Sequence, residues 1–470
     1  MPFATGSTEI HARRRCLIAP THSHDLTRGA LLSSLLFFSI PILIGNLFQQ
    51  LYNIVDTTAV SHLLGADALA ALGCTTSLYD VVICIATGMT AGFSIVIARI
   101  FGSRRSERLR QATATIVILT ILLSLLLTAL SLLFSRPMLI ALHTPEDILN
   151  SSLVYIRTIF AGIFFTMSYN AMASVLRGIG NSLYPLLFLI LSSVLNVGLD
   201  LLFMAVFRWG IFGAAFATVL SQLLSAITCF LYILRCCPEL HLTREDFRLD
   251  GTLVRELLIT GLAMGLMQST VCIGTMIMQS AVNALGTATI AGYTAARKIH
   301  GLLLTILFAF GNTASTFAGQ NLGARQLSRA FRGIRILVLL GLVWVTLVNV
   351  FIFFQCERLA GLITGSADPA VLSAVTRYLR IDVPFYYGIS VLIILRYSLQ
   401  GLGRKLAAVA EGVMEMCGNI LSALFLVPAL GYLGVCLCEP ITCTACTVMI
   451  CVAFWYAIRH LRRQPDGSAW

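Results

Sequence analysis

The chain has 470 residues, of which 58% are hydrophobic and only 11% charged, and its formal net charge is +11. Soluble domains carry roughly 25% charged residues, so a mean hydropathy of +0.88 excludes a water-soluble enzyme, a disordered chain and a nucleic-acid binder. The apolar runs, such as 115–134 and 336–354, are unbroken rather than alternating, which also excludes an outer-membrane β-barrel.

In chain order, residues 1–30 read as a cytoplasmic N-terminal tail. They carry Arg13, Arg14 and Arg15 but lack the apolar core and small-residue cleavage site of a signal peptide. A spanning helix needs about 20 apolar residues. Twelve windows qualify: 31–60, 68–98, 112–135, 151–176, 184–207, 211–234, 256–284, 287–318, 336–355, 371–399, 406–428 and 434–458. The first six form an N-terminal lobe, 31–235, and the last six a C-terminal lobe, 256–458. The polar stretch 236–255 reads as a cytoplasmic connector and 459–470 as a cytoplasmic tail. Pro41, Pro185, Pro384, Pro428 and Pro440 are expected kinks, because each removes a backbone donor. Arginines gather in alternate loops, as in Arg99, Arg104, Arg105, Arg108 and Arg110, then Arg325, Arg329, Arg332 and Arg335. The positive-inside rule then places both termini in the cytoplasm, so the basic excess is orientation information rather than a binding patch. Cys436, Cys438, Cys443 and Cys446 sit in a continuous apolar stretch with no ligand set around them, and read as small helix residues. The eight histidines, His300 included, are placed mostly in loops or near span ends, with no paired axial arrangement for haem.

The chain is duplicated. Tyr155-x-Arg157 and Gly178-x-Gly180 recur as Tyr378-x-Arg380 and Gly401-x-Gly403, at a constant offset of 223. Ala98–Gly102 matches Gly319–Gly323, and Gly210-x-x-Gly213 matches Gly431-x-x-Gly434, at an offset of 221. The unit is about six spans. Six is even, so both copies enter the membrane from the same side. The expected fold is therefore two parallel six-helix bundles, related by a pseudo-twofold axis along the membrane normal, with a central cleft.

Few polar groups lie inside the spans. Asn46, Gln49, Asn53 and Asp56 share one face of the first helix, at spacings of three, four and three. An ionised Asp at the bilayer centre costs about 2.5–3.5 kcal/mol on insertion scales, so this stripe is expected to face the bundle interior or water. Asn196 and Asp200 share a face of the fifth helix, and Thr218 lies among the small residues of the sixth. Gln268, Cys272, Thr275 and Gln279 make a milder stripe on the seventh. Glu411 and Glu415 are one turn apart in the eleventh, and Arg396, mid-span in the tenth, needs an acid as partner. Glu439 is the repeat counterpart of Thr218, whereas Asp200 maps onto Ala423, so the lobes are chemically unequal. Aromatic side chains such as Tyr52 are suited to stacking on flat cations.

Several stretches taken together carry a resemblance. They are the first span from Ser39 to Gly73 with its Tyr52-Asn53-x-x-Asp56 element, Thr287–Gly301, and Ser315–Gly333 with Gly319-Gln-Asn-Leu-Gly-Ala324. From about Leu31 to Arg459 the chain resembles the multidrug and toxic compound extrusion (MATE) family, and within it the DinF-like branch, whose key acids lie in the N-terminal lobe. Arg99, where the second half has Gln320, and Ser61, where many relatives have glycine, depart from the pattern at lobe edges. The resemblance implies a twelve-helix bacterial inner-membrane transporter, not an enzyme, that exports organic and often cationic compounds by alternating access in exchange for Na+ or H+. It implies a cation site at Asp56, Asn196, Asp200 and Thr218, a cavity position at Asn170 and an acidic position at Glu415. Two carboxylates, an amide oxygen and a hydroxyl form a hard oxygen set suited to a sodium ion, and a close acid pair also holds a proton, so either ion fits. Asn46, Gln49, Tyr52, Asn53, Asn170, Gln268, Gln279 and Glu415 are the expected substrate-cavity residues. No other cofactor and no nucleic acid is expected, and the chain is expected to act as a monomer in the lipid bilayer. The alternative is a flippase for a lipid-linked cargo on the same superfamily fold, against which the acidic first-span stripe argues.

Overall fold

Inside a bilayer no water is available to the backbone, so each apolar run closes its hydrogen bonds within itself as a helix. The computed structural model describes residues 25–142, 144–364 and 368–463. Arg13, Arg14, Arg15, His143 and the chain end from 464 lie outside the described residues. Twelve helical spans follow: α1 Leu31–Leu64, α2 Ala66–Gly102, α3 Ser106–Ala141, α4 Glu146–Ala161 with Ile163–Gly178, α5 Leu183–Val206 and α6 Gly210–Cys236. The second half repeats the order: α7 Gly251–Asn283, α8 Thr287–Gly323, α9 Leu327–Thr364, α10 Pro369–Gly401, α11 Lys405–Leu430 and α12 Tyr432–Arg463. By length and apolarity eleven cross a membrane alone, and α4 makes the twelfth as a pair bent by 43°. Among the described residues there are no strands.

Most helices outrun their apolar windows by several residues, because polar ends continue the hydrogen-bond ladder into the aqueous layer. Pro41 and Pro440 lie inside helices, while Pro384 sits in a 3₁₀ break at Val383–Phe385 within α10. The most informative irregularities are two π-helical segments, Leu201–Val206 in α5 and Ser422–Leu426 in α11. Each inserts an extra residue into a turn, which rotates the side chains around it. The first begins immediately after Asp200, and the second contains Ala423, the repeat counterpart of Asp200. The distortion is common to both lobes; the acid is not.

The lobes meet through pseudo-symmetric pairs at the arginine-rich end. A Cβ on Gly102 would lie 2.0 Å from the Gln320 carbonyl oxygen, and one on Gly323 would lie 2.0 Å from that of Arg99. Gly102 and Gly323 are repeat partners, as are Arg99 and Gln320, so the two contacts are one contact written twice. Farther in, Gly92 and Gly88 of α2 meet Gly261 and Gly265 of α7 backbone to backbone. The corresponding contact of α1 with α8 is a Ser39–Thr313 hydroxyl pair at 2.8 Å. Polar locks reinforce this end. Arg99 meets Glu256 at 2.5 Å, and Gln320 donates to the Gly178 carbonyl at 2.8 Å while accepting from the Leu26 N–H at 3.1 Å. In the other half of α2, a Cβ on Gly73 would meet nothing within 4 Å, and Gln49 and Asn53 of α1 are exposed.

Lipid-facing stripes are apolar and exposed, as in Leu122, Leu125, Leu126 and Leu133 of α3 and Leu339, Val343, Leu347 and Val350 of α9. Their i, i+3, i+4 spacing is the surface-helix pattern turned inside out, with hydrocarbon in place of water. Cys436, Cys438, Cys443 and Cys446 are buried residues of α12.

Candidate cation and substrate site

In the N-terminal lobe α1, α5 and α6 bring four of the expected residues together. Asp200 and Asn196, one turn apart on α5, are each 1% exposed. With its amide turned to satisfy both ends, Asn196 donates to Asp200 Oδ2 at 2.8 Å and accepts from the Thr218 N–H at 3.1 Å. The Asp56 carboxyl comes across from α1 to within hydrogen-bonding reach of Asp200. The Tyr52 hydroxyl, one turn before Asp56, lies beside the Thr218 side chain, and Tyr79 and Tyr155 border the acid pair. No basic side chain joins this cluster among the described residues. Asp56 Oδ1 and Asp200 Oδ1 are buried without a hydrogen-bond partner. Buried oxygens of that kind are costly unless something positive meets them. Two such oxygens with the Thr218 hydroxyl beside them fit a hard cation or a proton, while the Asn196 amide, its oxygen engaged by the Thr218 N–H, orients Asp200.

The C-terminal lobe is built differently at the same place. Glu439 of α12, counterpart of Thr218, receives the Arg297 guanidinium at 2.5 Å, the Tyr378 hydroxyl at 2.9 Å and His300 Nε2 at 3.1 Å. His300 Nδ1 lies 2.8 Å from Asp382 Oδ2, and the Tyr386 hydroxyl reaches the same nitrogen at 2.9 Å. A carboxylate on each ring nitrogen suits an imidazole that donates at both. Deeper in the lobe Arg396 spans both oxygens of Glu411, at 3.1 and 3.0 Å, and reaches Glu415 Oε2 at 3.6 Å. Arg297, Tyr378, Glu415, Asn419 and Glu439 line a cavity of about 30 Å³, room for little more than a water molecule.

The remaining expected cavity residues do not converge. Asn46 and Gln268 are half-buried, and Gln49 and Asn53 exposed. The Asn170 amide donates to the Thr166 carbonyl of its own helix at 2.9 Å, and Gln279 donates to Asn283 at 2.9 Å. Only Tyr52 joins the acid pair. Glu415 belongs to the Arg396 pair, which supplies the acid partner that Arg396 requires.

One correction is needed. His300, read as a residue near a span end, lies well inside α8 at 4% exposure, between two acids. Arg297, Tyr378 and Asp382 were also missed. Two signals in the sequence point to them: ionisable residues inside the windows 287–318 and 371–399, and the offset of 221 that sets His300 opposite Tyr79.

The MatE family profile matches residues 41–202 and again 263–425. The chain belongs to the MatE family. The double match, one per lobe, follows the duplication read from the sequence. Among MATE relatives, the chain is 30% identical over 302 residues to the "Probable multidrug resistance protein YpnP" of Bacillus subtilis (strain 168), covering 64% of this chain and 67% of that protein. It is 26% identical over 452 residues to the "FAD transporter" of Shewanella oneidensis, covering 93% and 96%. In fold it is similar to a multidrug resistance MATE family transporter solved in an outward-facing conformation, with a TM-score of 0.86 at 23% identity over 96% of this chain and 100% of that one. The twelve-helix MATE architecture is thus that of a multi-pass membrane protein, in a family of multidrug efflux transporters whose named relatives are transporters rather than enzymes.

Proposed function

We propose that this MATE protein is a cation-coupled antiporter that exports small organic cations, with Asp56, Asn196, Asp200 and Thr218 as the coupling site. The observation that carries the reading is the acid pair with two buried, unpartnered oxygens and no cationic side chain of its own. A sodium ion or a proton supplies the missing positive charge. Binding it removes one of the two negative charges of the acid pair, so the organic cation is held less strongly, and the lobes reorient with only one of the two bound. The substrate follows the cleft between the lobes, past Asn46, Gln49, Tyr52, Asn53, Gln268 and Gln279. The arginine-rich end faces the bacterial cytoplasm, by the positive-inside rule, and both termini lie there. The protein acts as a monomer.

The test is efflux of a fluorescent organic cation from vesicles, with sodium and pH gradients imposed separately. Asp56→Asn is expected to remove the response to whichever gradient drives the wild type. Unchanged gradient-driven efflux in that variant overturns the assignment.

A further inference from the structure

At the arginine-rich end, where the lobes close on each other, a cavity of about 500 Å³ opens to the surface. Its walls are the two repeat-related turns after α2 and α8, with Arg104 and Arg105 from one and Arg325 and Gln326 from the other; Arg28 completes it. Asp25 answers part of this charge, meeting Arg104 at 3.2 Å and Arg28 at 3.6 Å. Arg105 and Arg325 have no ion-pair partner among the described residues. Helices α3 and α9 also begin beside these turns, and the α3 N-cap, Arg105, supplies no side-chain cap. Their positive ends therefore add to the guanidinium charge.

The backbone indicates that the arginines are there for their side chains. Four repeat-related pairs of positions have left-handed φ. Three are glycine in both copies: Gly65 and Gly286 (85° and 95°), Gly180 and Gly403 (90° and 78°), and Gly210 and Gly431 (60° and 57°). The fourth is Arg104 and Arg325, both at 58°. A left-handed backbone is unfavourable for any residue with a Cβ, and glycine removes the strain. Both copies nevertheless hold an arginine, at the one such turn that faces the cavity. Arg208, at 55°, is also left-handed but has no such counterpart and lies outside the cavity, so it is the recurrence in both repeats that singles out Arg104 and Arg325.

We propose that this cavity is a binding site for a phosphate-bearing anion. Guanidinium groups match phosphate oxygens in charge and geometry, and the volume suits a phosphate headgroup or a small soluble phosphate. Both lobes build the walls, so the site exists in full only while this end is closed. The anion therefore stabilises that closed state, and its occupancy links the membrane or the cytosol to the transport cycle.

The experiment uses the full chain in two arms. In detergent, inorganic phosphate is titrated against potassium chloride at matched ionic strength and thermal unfolding is followed. In nanodiscs, neutral phosphatidylcholine is compared with phosphatidylcholine containing phosphatidylglycerol. The wild type is expected to show a Tm that rises with the logarithm of anion concentration. Arg105→Gln with Arg325→Gly is expected to lose most of that rise. Arg325→Gly relieves the left-handed strain, so in chloride this variant is expected to melt no lower than Arg105→Gln alone, which separates lost binding from lost folding. A rise with phosphate alone assigns a soluble anion, a rise with phosphatidylglycerol alone assigns a lipid headgroup, and both assign the phosphate group itself. No rise in either arm, or an equal rise in wild type and variant, overturns the proposal.

Discussion

The two lobes share a backbone plan and differ in charge logic. Each has a π-helical turn at the same point of its fifth helix, and each has a tyrosine, Tyr155 or Tyr378, beside its polar centre. In the N-terminal lobe two acids stand together without a base. In the C-terminal lobe Glu439, Asp382, Glu411 and Glu415 each lie within 3.6 Å of an arginine or histidine. The C-terminal lobe carries its positive charge covalently; in the proposed mechanism the N-terminal lobe receives it from the coupling ion. Acids in apolar spans are thus not equivalent markers of function. What separates them is whether the chain has already supplied their counter-charge.

The sharpest way to break this comparison is to neutralise acids one lobe at a time. Asp56→Asn or Asp200→Asn is expected to reduce gradient-driven efflux to the level of empty vesicles while leaving Tm unchanged or higher, because a buried unpartnered carboxylate oxygen is removed. A fall in Tm without loss of coupling would reverse the roles of the lobes. Glu411→Gln is the converse. It leaves the buried Arg396 with a charged partner only at 3.6 Å, and removing one charge of a buried pair costs up to about 3–5 kcal/mol. Thermal melts of Glu411→Gln, Arg396→Leu and the triple variant Glu411→Leu/Arg396→Leu/Glu415→Gln are expected to show the triple variant, which leaves no acid of the group unpaired, recovering most of that loss.

A third prediction concerns the part of the molecule where the lobes are alike. Gly102→Ala and Gly323→Ala each push a Cβ into the opposite backbone, and overpacking of this kind costs about 1–3 kcal/mol. The two are expected to lower Tm equally and to increase modification of the arginine-rich end by a dicarbonyl reagent that labels guanidinium groups. Unequal effects would show that the pseudo-symmetry fails at the gate. The smallest effect lies in the connector. Burial pushes the Asp246 carboxyl up, but its bonds from the Thr243 N–H and hydroxyl, at 2.7 and 2.8 Å, and Arg110 at 3.5 Å outweigh it and hold it below the usual carboxylate range. A lowered folded-state value means a contribution present above the unfolded value, about 3.9, and lost as pH falls through the lower one. Tm measured down through pH 4 is expected to show this loss in the wild type and not in Asp246→Asn.

Much of this was legible in the chain itself. The twelve windows follow from apolar runs and the internal offset from repeated motifs, while the grouping of Asp56 with Asn196, Asp200 and Thr218 is what the MATE resemblance implies. Asn170 shows where such reading stops: an asparagine in a span either lines a cavity or satisfies its own helix, and here its amide bonds the Thr166 carbonyl. The Arg297–His300–Glu439–Asp382 group was hidden for a related reason. Its members come from three helices, α8, α10 and α12, and nothing local in any of them reveals that opposite charges meet.

By itself the sequence determined the membrane class, the number of spans and the duplication, because hydropathy and repeat offset are properties of composition along one chain. It also determined that the N-terminal lobe holds intramembrane acids that its partner lacks at the same positions. Only the tertiary structure decided which acids are already neutralised, and that arginines recur at the closed end in a backbone conformation suited to glycine. Both depend on distances between helices far apart in the chain, and pairing energy inside a low-dielectric bundle is decided at the scale of a single hydrogen bond.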